Sequence, residues 1–295
     1  MALGLASCWA ADSTEPAPGV GDATSERSWS LKLPDDGKVV FSGALDYAGG
    51  SAGSNFMPYP APNAVAFVAA VVTHGLIVDS QKNSQRKKAQ EYADKVLDPY
   101  QSMLGTVSYQ QLAQLWVEDL QPGARRKLVG TTDSPGSDDW LIEATPVFLM
   151  AQDRRTLTLD ALVSIRAPGA TENAYQNRIR VISPAVGNED PAGAWAAEEG
   201  KKLREVSAWL LSESLNIAMR TAIDGSSNND QPFRTIRYLE GTAEKMERAQ
   251  LVSEHCGRLV IKTLRGSLMS VPVKASTTTG GNGGEMACAS AKDKT

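Results

Sequence analysis

The sequence predicts an α+β fold: antiparallel sheet(s) packed against three main helices, one of them long with an apolar first half. Three observations carry this. Strand-like runs cluster over residues 140–183 and 233–273, without the strand–helix alternation of a parallel sheet. Helical periodicity marks residues 63–97, 108–120 and 192–223. Residues 64–78 are apolar except at Thr73, His74 and Gly75, and a helix apolar all round is a buried one.

The first strand is expected over 38–47, followed by the Gly-rich loop Gly49-Gly50-Ser51-Ala52-Gly53-Ser54. That loop lacks a Gly-Lys-Ser/Thr ending and GxGxxG spacing, so it reads as a connector rather than a phosphate loop. The long helix then begins after Pro62, which suits a first turn, and should stop at Asp98-Pro99. Its second half is amphipathic, with Ala89, Tyr92, Ala93, Val96 and Leu97 on one stripe. Its apolar core spans about 22 Å at 1.5 Å per residue, against a hydrocarbon thickness of ~30 Å. Residues 64–78 are therefore expected to be buried in protein, with His74 a neutral core imidazole.

Helix 108–120 places Leu112, Leu115, Trp116 and Leu120 on one face, and residues 121–126 and 131–139 read as turn and loop. A meander follows over 140–150, 156–166 and 174–183, with Pro146 arguing for an edge position or a bulge. Helix 192–223 carries a stripe of Leu203, Val206, Leu210, Ile217 and Thr221, and Gly225 should end it. Strands are expected over 233–241, 247–254, 257–264 and 267–273, with Arg265-Gly266 as a tight hairpin.

The organisation expected is a truncated signal sequence or lipobox over 1–11, a flexible linker over 12–35, and a single α+β body over 36–275. The body has candidate halves 36–187 and 188–275, and a disordered tail follows over 276–295. "LASC", Leu5 to Cys8, resembles the lipobox of bacterial lipoproteins, which implies lipidation of Cys8 and membrane attachment through it. Cleavage near Ala10 or Ala11 by an ordinary signal peptidase fits the same residues. Either route puts the chain in the periplasm, or anchored at the outer membrane, of a Gram-negative bacterium. Cys256 and Cys288 would then form a disulfide or remain two thiols.

Composition and motifs narrow the function. With 295 residues, 42% hydrophobic and 22% charged, the chain has globular makeup. Its net charge of −4 offers no footprint for nucleic acid. The sequence contains no HExxH, paired CxxC or GxSxG, so no metal, cofactor or catalytic residue is assigned. Glu198 and Glu199 read as helix-opening charges, and Glu240, Glu244 and Glu247 as solvated. Arg178 and Arg180 share one strand face, as do Arg234 and Tyr238 on another, and such alternation suits a binding face for an anion or glycan. The expectation is a non-catalytic exported envelope protein that binds a protein partner or envelope polymer. The alternative is a periplasmic hydrolase using carboxylates or the turn at His255 and Cys256.

Overall fold

The computed structural model describes residues 27–34, 38–45, 80–118, 125–130, 132–187, 189–224, 231–255 and 257–273. Residues 64–78 with His74, the Gly-rich loop, Cys8, Cys256, Cys288, Gly225 and the tail from 276 lie outside them.

The protein mixes α and β structure, with one large sheet and few helices. The strands are β1 (Ser28–Lys32), β2 (Val40–Gly43), β3 (Arg125–Leu128), β4 (Asp139–Met150), β5 (Leu157–Arg166) and β6 (Tyr175–Ile182). After the last helix come β7 (Arg234–Glu240), β8 (Ala243–His255), β9 (Arg258–Thr263) and β10 (Leu268–Pro272). They form a ten-stranded sheet in the order β3-β1-β4-β5-β6-β10-β9-β8-β7, with β2 beside β4. The expected meander β4-β5-β6 is antiparallel, as are the hairpins β7-β8, β8-β9 and β9-β10. The sheet is nevertheless mixed. β1 runs parallel to both β3 and β4, β2 parallel to β4, and β10 parallel to β6. The β6–β10 pairing joins residues on both sides of position 188, so the two candidate halves share one sheet.

Two strands were hidden in segments that read as irregular. The linker expected over 12–35 is not a linker at its end, because Ser28–Lys32 is β1, with Trp29 and Leu31 fully buried. Arg125 and Arg126, expected in a turn, open β3. Pro146 lies inside a central strand rather than on an edge strand. The register of β1 against β4 stops at Glu143 and that of β2 begins at Val147, so Pro146 falls between the two partners. The local gap spares an N–H that proline lacks.

The helices are α1 (Ser80–Asp94), α2 (Gln101–Leu104), α3 (Tyr109–Glu118) and α4 (Pro191–Asp224). Asp98-Pro99 does not stop the chain's helical course: a 3-10 segment, Lys95–Tyr100, carries Pro99 and leads directly into α2. A capping box starts α3. The Ser108 hydroxyl accepts from the Gln111 N–H at 3.2 Å, and Gln111 Oε1 accepts from the Ser108 N–H at 3.1 Å. Leu112 and Trp116 are buried as expected, but Leu115 is on the surface. Asp190 caps α4 by accepting from the Gly193 N–H at 2.9 Å, with Pro191 in the first turn.

The expected single helix over 192–223 is two helical stretches. Ala197 is extended, and Glu198 (φ 50°), Glu199 (φ 55°) and Gly200 (φ 77°) are left-handed. The first stretch is docked through Trp195, whose indole N–H donates to the Arg154 carbonyl at 2.6 Å. The second begins after Gly200, so Glu198 and Glu199 still sit at a helix N-terminus, where carboxylates complement the dipole.

The main core lies between the helices and one face of the sheet, around Trp29, Trp116, Trp195, Phe148 and Leu210. A smaller cluster forms on the opposite face around Ile182, Ile236, Tyr238, Ile261 and Val271. It is enclosed because the sheet curls: Tyr238 in β7 bridges to Val273 just beyond β10. The connection β9-β10 is not centred on Arg265-Gly266. The Gly266 N–H donates to Thr263 O, which makes Leu264-Arg265 the central pair and gives Gly266 (φ 83°) the following left-handed position. No helix among the described residues is long and apolar enough to cross a membrane.

Candidate functional site

Strand alternation and register decide which side chains share the face of the sheet that carries no helix among the described residues. From β3 to β6 this face presents Arg125, Lys127, Lys32, Arg166, Arg178 and Arg180, together with Asp139, Glu143 and Asp160. Cations outnumber carboxylates two to one there, although the whole chain carries −4.

At the β6 end, Asp160 is fully buried and receives both predicted arginines. Arg180 donates from Nε at 2.9 Å and from Nη2 at 2.7 Å, and Arg178 donates from Nη2 at 3.0 Å. Burial pushes the Asp160 carboxyl up, but the two guanidiniums outweigh it and hold the group below its ordinary range. Their side chains keep 12% and 23% exposure, so they open onto the surface only at their margins. Tyr238 borders this group. Burial, reinforced by Glu240, pushes its phenol up, so it stays neutral. Arg234 is exposed at the start of β7 and is not part of the Asp160 group. The predicted binding face is thus divided, with Arg178, Arg180 and Tyr238 gathered and Arg234 apart.

In the middle of the strip Arg166 donates to Glu143 at 3.0 Å across the β4–β5 pair. At the β3 end Asp139 takes several donors: Lys127 Nζ at 2.6 Å, the Ser30 hydroxyl at 2.7 Å and the Gly136 N–H at 2.9 Å. Burial raises the Asp139 carboxyl, while Lys127, Ser28, Ser30 and Gly136 together pull it well below the ordinary range. Asp139 thereby ties β1, β3 and the loop ahead of β4 to one point.

Two adjoining clefts flank that loop. One, of about 310 Å³, lies against Arg125, Arg126 and Lys127; the other, of about 390 Å³, lies against Arg166 and Ala167. Gly136, Ser137 and Asp139 line both. Arg126 is oriented by its place 5.1 Å over the Trp116 ring and by donation to the Trp116 carbonyl at 3.1 Å. Arg125 has no ion-pair or hydrogen-bond partner among the described residues. Sequence reasoning missed this basic strand because a Pro-Gly pair precedes it. Three consecutive cations followed by Leu128 and Val129 were its one visible signal.

The other expected residues fall elsewhere. His255 is exposed at the end of β8 opposite Arg258, with Cys256 outside the described residues. Glu244 is a surface residue paired with Arg237 at 2.9 Å, whereas Glu247, expected to be solvated, is buried at 5% exposure. The curl of β7 over the small cluster accounts for this. Among the described residues no group of three His, Cys, Asp or Glu side chains is placed to hold a metal.

No family model matches the chain, and no curated protein matches it. Among solved structures it is similar to one described as the crystal structure of an uncharacterized protein, at 14% identity and a TM-score of 0.24. It is also similar to a protein from Xanthomonas campestris of the DUF330 family, at 11% identity and a TM-score of 0.23. Each likeness covers 66% of this chain and 91% of the other. Superpositions this loose carry no argument for fold or function.

Proposed function

We propose that the protein is a non-catalytic envelope protein, exported to the periplasm or anchored through Cys8, that binds a protein partner or envelope polymer. The face between β3 and β6 that carries no helix among the described residues is its binding surface. The observation that carries this is the two-to-one surplus of cations on that face of an acidic chain. A local field of one sign attracts an oppositely charged partner irrespective of net charge. The leader supports export, since Leu5 to Cys8 fits a lipobox and Ala10 a cleavage site. Asp139 and Asp160 are both held ionised by cations, a state suited to organising a surface rather than to donating a proton.

Co-sedimentation of the purified chain with a bacterial envelope fraction tests the reading. Retention should fall as salt rises from 50 to 300 mM, as expected of exposed charges (Debye lengths of roughly 14 and 6 Å). A Lys32→Glu, Arg166→Gln double variant should lose most of it while melting within a few degrees of the parent. Retention that is insensitive to salt and to both substitutions overturns the assignment of the face. Intact-mass analysis of the natively expressed chain tests export: a diacyl or triacyl group on Cys8 selects the anchored branch, and a free N-terminus near Ala11 the soluble one. A chain still beginning at Met1 in the cytoplasm overturns export.

A further inference from the structure

The paired clefts at the β3 edge narrow the ligand class, and this step rests on the binding face just proposed. We infer that the clefts flanking the Gly136–Asp139 loop bind phosphate groups repeated along a chain or surface, with Arg125 the principal contact. Among the described residues β3 has β1 on one side only, so Arg125 and Lys127 on one face and Arg126 on the other all border the cleft that opens at this edge. Trp116 orients Arg126 through its ring and carbonyl. Lys127 gives one bond to Asp139 and, as an ammonium with three donors, retains others. Arg125 is exposed and has no partner among the described residues.

Three cations line this lobe beside two carboxylates, Asp138 and Asp139, and Asp139 is already engaged by Lys127. The cationic surplus suits an oxyanion, and guanidiniums match phosphate by paired donation. The second lobe carries a single cation, Arg166, which gives one bond to Glu143 and keeps further guanidinium donors, on the far side of the same loop. Two arginine-bearing lobes separated by one ridge fit successive phosphates better than a single ion. Asp139 is what keeps the ridge in place, through the Gly136 N–H and the Ser30 hydroxyl.

The full chain should be titrated with short linear polyphosphate, with polyacrylate of matched length, and with vesicles of phosphatidylglycerol or phosphatidylcholine. Polyphosphate or phosphatidylglycerol vesicles should bind, and which of the two binds identifies the phosphate as borne on a soluble chain or a lipid headgroup. Arg125→Glu should weaken that binding tenfold or more, and should flatten its salt dependence. Arg220→Glu, exposed on α4 at the opposite face, should leave it unchanged. Equal affinity for polyacrylate, or equal losses from Arg125→Glu and Arg220→Glu, overturns the inference. So does absence of binding to every phosphate probe. If envelope co-sedimentation persists in that last case, the binding face stands and only its phosphate chemistry falls.

Discussion

The backbone N–H of Gly43 donates to Asp94 Oδ1 at 2.7 Å, so a helix side chain takes the place of a neighbouring strand at the edge of β2. The Ser42 hydroxyl donates to the same oxygen at 2.7 Å, and Gln90 Nε2 returns a bond to the Gly43 carbonyl at 3.0 Å. Gln90 and Asp94 are one turn apart on α1, the spacing that lets two side chains meet one strand edge. This clamp closes an edge that would otherwise present unpaired backbone groups.

Close approach is the condition for that clamp. A Cβ on Gly43 would lie 2.0 Å from the Ala93 carbonyl oxygen, which is backbone and cannot swing aside. Gly43→Ala should therefore cost roughly 2–4 kcal/mol by overpacking. Asp94→Ala, which orphans the Gly43 N–H, should cost about 2 kcal/mol. Urea unfolding checks both, and a Gly43→Ala variant as stable as the parent would show that α1 does not lie on β2.

The Asp160 group should be the most sensitive polar site. Asp160→Ala leaves two guanidiniums facing each other below the surface, at an expected cost of roughly 3–5 kcal/mol. Arg178→Gln should cost less, since Arg180 alone still pairs with Asp160. Reversal of that order in chemical denaturation would mean that Asp160 is not the centre of the group.

Acid should destabilise the fold through two carboxyls. Asp139 and Asp160 both have folded pKa values depressed below the unfolded range. Below about pH 4 the unfolded chain therefore binds more protons, and the stability they contribute, full above that pH, is lost as pH falls toward their folded values. Asp139→Asn should lower stability at pH 7 and flatten its slope between pH 2 and 4. An unchanged slope in melts across that range would remove Asp139 from the account.

Two non-glycine residues in the α4 interruption hold left-handed conformations that disfavour a Cβ by about 1–2 kcal/mol each. Glu199→Gly relieves this but loosens the unfolded chain by roughly 0.4–1 kcal/mol, so a net gain of up to about 1 kcal/mol is expected. Glu199→Val, with a branched Cβ, should destabilise. A melting temperature raised by valine and lowered by glycine would contradict the interruption.

Much of the fold was legible because its signals are local. Alternating β-branched runs between polar turns mark β4, β5 and β6, and the 3.6-residue stripe of Leu203, Leu210 and Ile217 marks α4. A strand of four or five residues carries no such period, and β1 and β3 were lost to the Pro, Gly and Ser around them. Their pairing is parallel and spans about a hundred positions, which turn chemistry cannot announce.

The chain by itself determined that β4 to β10 are strands and that α3 and α4 are helical, that its arginines alternate on β6, and that helical sequence opens at Ser108 and Pro191, because these depend on residues within a turn or two. Only the tertiary structure decided that Asp160 would engage both arginines, that Tyr238 and Glu247 would be enclosed by a curled β7, and that α4 would break over residues 197–200. Register across β5 and β6 brings Asp160 opposite Arg180. The docking of Trp195 on the Arg154 carbonyl and of Met103 beside Gly200 accompanies the break in α4. Each of these rests on contacts between residues remote in sequence, whose free energy can outweigh the preferences of the residues between them.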